Sequence, residues 1–185
     1  TTGLSIVDIT TPSTPVQVKF IPGSQGLWRE CQTYKNYVYI TQDDNSNANS
    51  EGVLIYDLST LPNGKVDTFK GTTANDVIIR THSLEIDDSG FLYLNGGRLE
   101  INGVGNNGTV IYDLKPNPKK PTLVGYTFSQ SGTSTNYVHD CYIRNNLMYQ
   151  AHIYNNRFTV WDVKDKAHPR KIQDIATEYN TIHNM

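Results

Sequence analysis

One short phrase occurs four times in this chain of 185 residues: at 3–8 (GLSIVD), 52–57 (GVLIYD), 108–113 (GTVIYD) and 157–162 (RFTVWD). A self-similarity with a period of about 50 residues is the signature of an array of repeated supersecondary units, and it restricts the fold before any single residue is considered. β-Branched and aromatic residues favour a pleated, half-buried strand. The closing aspartate can accept a hydrogen bond from the backbone amide two residues on, which ends the strand and starts a turn. Pro12, Pro15, Pro62, Pro116, Pro118, Pro121 and Pro169 all follow these aspartates, where they fix turns and remove no ladder bond. A second apolar run comes after each turn, as at 16–20 (VQVKF) and 171–175 (KIQDI).

A second phrase fills the other half of each unit. It reads 29–36 (RECQTYKN) then 37–41 (YVYIT), 82–90 (HSLEIDDSG) then 91–94 (FLYL), and 139–146 (HDCYIRNN) then 147–153 (LMYQAHI). Each is two apolar runs joined by a tight polar turn, a hairpin signal. Four strands per unit and no helical periodicity predict an all-β chain built as a β-propeller. Counting strands gives the end of one blade in residues 1–22, whole four-stranded blades in 27–71, 80–128 and 137–177, and the start of another in 181–185. A propeller closes on itself to remove exposed edges, so this count describes a fragment of a larger ring.

The phrases at 4–9 (LSIVDI) with 11–16 (TPSTPV), and at 159–169 (TVWDVKDKAHP), resemble the LVIVD repeat of the choice-of-anchor B family. So do 81–86 (THSLEI) and 137–141 (YVHDC), which look like its histidine-bearing strand starts. Trp28, Arg29 and Glu30 stand where the other blades carry histidine, and 43–52 forms a longer polar loop. The resemblance implies a bacterial extracytoplasmic propeller of seven blades in the whole ring, tethered to the cell surface by a lipid or a sorting domain outside this chain, with no established enzymatic activity.

Composition narrows the partners. A net charge of -2 provides no basic field for phosphate backbones, so nucleic acid is not an expected partner. No window holds the roughly 18 apolar residues that a membrane helix needs. Cys31 and Cys141 occupy equivalent positions two blades apart, too far for a bridge, and are expected to be buried free thiols.

Alignment of the blades places Arg29, His82, His139 and His183 at one equivalent position at the start of the innermost strand, with Asp140 beside His139. These five residues are the candidate set for lining the central channel, where neutral imidazoles suit a transition metal or proton transfer. In the structural alternative each histidine bonds the neighbouring blade's backbone and locks the ring. Asp43, Asn45, Asn47 and Glu51 offer oxygen donors for calcium, although the loop lacks the glycine and terminal carboxylate of an EF-hand. The segment 102–108 (NGVGNNG) joins two strands and opens no helix, so it reads as a long hairpin turn and not as a phosphate cradle. No nucleophile-elbow motif is present, and no catalytic residue is assigned. The functional expectation is a surface module that binds protein or glycan through rim loops such as 43–51 and 129–136. A metal-binding protein or enzyme using the histidine set at the channel mouth is the alternative.

Overall fold

The computed structural model describes residues 2–43, 51–127, 137–178 and 182–184. Strands β1 (Gly3–Asp8) and β2 (Val16–Pro22) form a two-stranded sheet. Blade I follows as β3 (Cys31–Tyr34), β4 (Tyr37–Ile40), β5 (Val53–Asp57) and β6 (Val66–Phe69), each antiparallel to its neighbour. In chain order come β7 (Asp76–Arg80), β8 (Ser83–Ile86), β9 (Phe91–Asn95), β10 (Arg98–Ile101), β11 (Val104–Asn106), β12 (Thr109–Asp113) and β13 (Thr122–Tyr126). Blade II is the sheet β8-β9-β12-β13, and blade III is β14 (Asp140–Arg144), β15 (Leu147–His152), β16 (Arg157–Asp162) and β17 (Arg170–Ala176). These four-stranded antiparallel sheets are propeller blades, as the repeat predicts.

The repeated aspartates act as their position suggests. Asp8, Asp57, Asp113 and Asp162 each accept a hydrogen bond at Oδ1 from the amide two residues on, at 2.8, 3.0, 2.9 and 3.0 Å. The tight turns use residues that tolerate left-handed backbone, with φ of 53° at Lys35 and of 52° and 62° at Asn145 and Asn146.

One sheet lies outside the repeat. Strands β7, β10 and β11 form a three-stranded antiparallel sheet. The segment 102–108 is therefore not one long turn: Asn102 and Gly103, at φ of 54° and 73°, make the turn and Val104–Asn106 is a strand. Asp76 anchors this sheet by accepting from the amides of Thr72 and Thr73 at 2.7 and 2.5 Å, and its Ile78, Leu99 and Ile101 join the core between blades I and II.

Each gap between sheets has its own core. Leu4, Ile6 and Ile21 of the first sheet meet Val38, Ile40, Leu54 and Tyr56 of blade I. The largest cluster joins Tyr39, Val53, Ile55 and Phe69 of blade I to Leu84, Leu92, Leu94, Val110 and Tyr112 of blade II. Tyr93 and Ile111 of blade II meet Cys141, Met148 and Val163 in the third gap. The first strands of the blades are neighbours, β3 against β8 and β8 against β14, so the blade starts lie side by side. Cys141 is buried as expected, but Cys31 is exposed. Asn95 of β9 covers Cys141, its Nδ2 lying 3.2 Å from Sγ.

Candidate functional site

The inner ends of the blades bring three of the five candidate residues together. The His82 and His139 rings pack at a tilt of 55° with centroids 4.1 Å apart, and His139 and His183 pack at 46° and the same 4.1 Å. The preceding blade holds two of these residues by the main chain: Thr41 Oγ1 donates to the His82 carbonyl at 3.2 Å and Ser83 Oγ to the His139 carbonyl at 2.7 Å. The imidazoles are thus left to pack on one another.

Arg29 and Asp140 do not join them. Arg29 Nη2 donates to Glu51 Oε2 at 2.8 Å and to the Ser24 carbonyl at 2.6 Å. The local ladder explains the difference. In blade II, Ser83 pairs with Asn95 while the His82 amide also bonds the Asn95 carbonyl. In blade III, Asp140 and His139 share Ala151 in the same way. Two residues against one is the arrangement of a bulge, which re-aims a side chain. In blade I the pairing runs on regularly past Arg29, with the Thr41 amide on Glu30 and Trp28 opposite Asp43, so the guanidinium faces Ser24 and Glu51. Asp140 belongs to a carboxylate group farther along the inner strands. Burial, together with the charge of Asp140, raises the carboxyls of Glu30 and Glu85 above their ordinary values.

Other residues complete the cluster. His82 Nδ1 lies 2.7 Å from Asp43 Oδ2, and Arg80 Nη1 lies 2.7 Å from Asp43 Oδ1. Burial pushes the Asp43 carboxyl up, but the hydrogen bonds and charges of His82 and Arg80 outweigh it and hold the group below its ordinary value. The Trp28 ring stands edge-on to His82 at 6.2 Å and remains 55% exposed. Tyr137 approaches His82 at 6.3 Å and Tyr154 at 5.9 Å. Tyr137 is seated by glycine: the Gly97 amide donates to its hydroxyl at 3.1 Å, and a Cβ on Gly96 would come within 2.5 Å of that oxygen. His139 is buried, and burial with the neighbouring His82 and His183 lowers its pKa to about 4, so its ring is neutral at pH 7.

The calcium reading meets a different arrangement. Asp43 is paired with Arg80 and His82, and Glu51 with Arg29 and the Ser24 amide, while Asn45 and Asn47 lie outside the described residues, as does the loop 129–136. Among the described residues no group of three or more His, Cys, Asp or Glu side chains is placed to hold a metal ion. A cleft of about 440 Å³ opens at the other end of the blades, between the 87–89 and 145–146 turns. Its buried cation, Lys166, donates to the Val163 carbonyl at 2.9 Å and approaches Asp87 at 3.5 Å, a tie between blades.

Sequence reading missed Trp28, Arg80 and Tyr137, and it assigned Asp43 to a loop cation. The signal available for Trp28 and Arg80 was their proximity in sequence to Arg29 and His82.

The blades and their inner-strand cluster define a β-propeller. Its fold is similar to that of lactonase-type propellers: a periplasmic gluconolactonase of Pseudomonas aeruginosa, with a TM-score of 0.62 and 12% identity over 95% of this chain and 48% of that one, and a putative 6-phosphogluconolactonase of Bacteroides fragilis, with a TM-score of 0.52 and 18% identity over 90% of this chain and 42% of that one. The chain thus spans about half the length of these propellers. No protein-family model matches the sequence, and no curated protein matches it either. No helix is long and apolar enough to cross a membrane among the described residues.

Proposed function

We propose that this chain supplies part of a propeller that binds a saccharide at the axial end where the blade starts meet. The observation that carries this reading is the exposed Trp28 ring beside the part-buried Arg80–Asp43–His82 chain of charge-assisted bonds. A sugar presents an apolar C–H face and a rim of hydroxyls, and an aromatic wall next to fixed polar groups complements both. Tyr154, 61% exposed and packed on Tyr137, extends the aromatic surface. The two similar propellers are named for lactones of sugar acids, which agrees with a saccharide-class ligand. The LVIVD resemblance supports a cell-surface, extracytoplasmic setting in which such a ligand would be a glycan.

Calorimetric titration with neutral and acidic tri- and tetrasaccharides tests the proposal. Saturable binding to at least one member, weakened about tenfold or more by Trp28→Ala, is the expected result. No binding across the panel, or binding indifferent to Trp28→Ala, overturns it.

A further inference from the structure

The bond between Asp43 and His82 fixes more than a position. A carboxylate only accepts hydrogen bonds, and Asp43 is held ionised, so the proton of the 2.7 Å contact sits on Nδ1 of His82. In the neutral ring Nε2 then carries a bare lone pair, and it makes no hydrogen bond to any described residue. An imidazole oriented through Nδ1 by a part-buried carboxylate, with no described hydrogen-bond partner on the opposite nitrogen, is the arrangement of a general base. Arg80 immobilises the carboxylate from its other oxygen, and the neutral His139 ring packed on His82 adds no competing positive charge at pH 7.

We infer that the Asp43–His82 pair is a general base that directs water onto the acyl carbon of a carboxylic ester, open or cyclic, carried by the bound saccharide; the inference rests on the saccharide-binding reading. The chemistry at hand selects this class. Glycoside hydrolysis requires two carboxyl groups flanking the bond, and Asp43, the carboxylate of this cluster, is committed to His82 and Arg80. Phosphoryl transfer depends on cations clamped around the phosphate, whereas the cation here, Arg80, is paired with Asp43. Ester hydrolysis begins with an activated water, which the Asp43–His82 pair is arranged to supply. In the reaction Nε2 takes a proton as the water oxygen bonds to the acyl carbon, and Asp43 stabilises the imidazolium. The tetrahedral adduct then collapses, the carbon–oxygen bond to the alcohol breaks, and Nε2–H returns the proton to the departing alkoxide. Acid and alcohol are released and His82 is neutral again.

The test is hydrolysis of acetylated xylotriose and of 4-nitrophenyl acetate by the protein, with oligosaccharide binding measured in parallel by calorimetry. The expected result is turnover that falls 100-fold or more in kcat for His82→Ala, is partly restored by added imidazole, and falls for Asp43→Asn. His168→Ala, at an exposed histidine far in sequence from the cluster, leaves the rate unchanged. Intact oligosaccharide binding with no hydrolysis of either ester overturns this inference and leaves the binding reading standing. Absence of both removes the two together. Hydrolysis that survives His82→Ala overturns the assignment of the base.

Discussion

The gaps on the two faces of blade II each hold an apolar core, yet equivalent rows of the same repeat within them differ in chemistry. In the gap between blades I and II, Thr41, Val53 and Phe69 face Leu84, Leu94 and Val110, and the contact is largely apolar. In the gap between blades II and III the corresponding row is Ser83, Asn95, Thr109 and Thr127, facing Cys141, Gln150 and Thr159. Here the contact is a buried hydrogen-bond network. Thr109 Oγ1 donates to Asn95 Oδ1 at 2.6 Å, Gln150 Nε2 to Thr109 and Thr127 at 2.7 and 2.9 Å, and Thr159 Oγ1 to Gln150 Oε1 at 2.9 Å. Because the Thr159 proton is spent on Gln150, His152 Nε2 must donate to Thr159 across their 3.1 Å contact. The repeat thus specifies where strands go, not what holds adjacent blades together. Apolar burial is tolerant of small shifts, whereas a polar network fixes one geometry, and the polar row reaches the histidine cluster through the Ser83 bond to the His139 carbonyl.

The difference can be broken most severely on the apolar side. Leu94→Ala, at a fully buried position, should cost roughly 3 kcal/mol by opening a cavity, read as a fall in the denaturation midpoint with an unchanged slope. On the polar side, Gln150→Leu should cost about 2 kcal/mol because Thr159 loses its acceptor. Combining it with Thr109→Val should cost less than the sum of the single changes by roughly 1 kcal/mol, since both alter one network.

A pH titration sharpens the same contrast. Burial, with the charge of Arg157, lowers the His152 pKa from 6.5 to about 4. The unfolded chain therefore takes up a proton that the folded network refuses. Stability should be flat above about pH 6.5 and fall as pH drops from there toward 4, by on the order of 2 kcal/mol. His152→Gln, which keeps a donor for Thr159 but does not titrate, should reduce that fall, measured by chemical denaturation, and leave the share contributed by His139, whose pKa is also lowered to about 4. The smallest effect is expected away from both gaps: Asp113→Ala removes the acceptor of the Lys115 amide and should lower the unfolding midpoint by an amount equivalent to about 1 kcal/mol.

Much of the blade architecture was legible because its signals are local. The aspartates bond amides two residues away, the hairpin turns use Lys35, Asn145 and Asn146 at positive φ, and the β-branched runs form strands wherever the phrase recurs. The sheet of β7, β10 and β11 was not read, although the run DVIIR has strand composition, because its partner strand lies some 20 residues on and outside the repeat.

The candidate site divides in the same way. Sequence alignment grouped His82, His139 and His183 because equivalent places in a repeat acquire equivalent places in space. It also grouped Arg29 with them, and there the absence of the bulge turned the side chain toward Glu51. The sequence by itself determined the strands, their turns and the four-stranded blade, since these rest on contacts within a few residues or between adjacent strands. Only the tertiary structure decided that Asp43 orients His82, that Trp28 stands beside them and that one row between blades is apolar and its equivalent polar. Those contacts arise between blades, where a one-residue shift in a ladder changes the direction of a side chain while leaving the local composition unaltered.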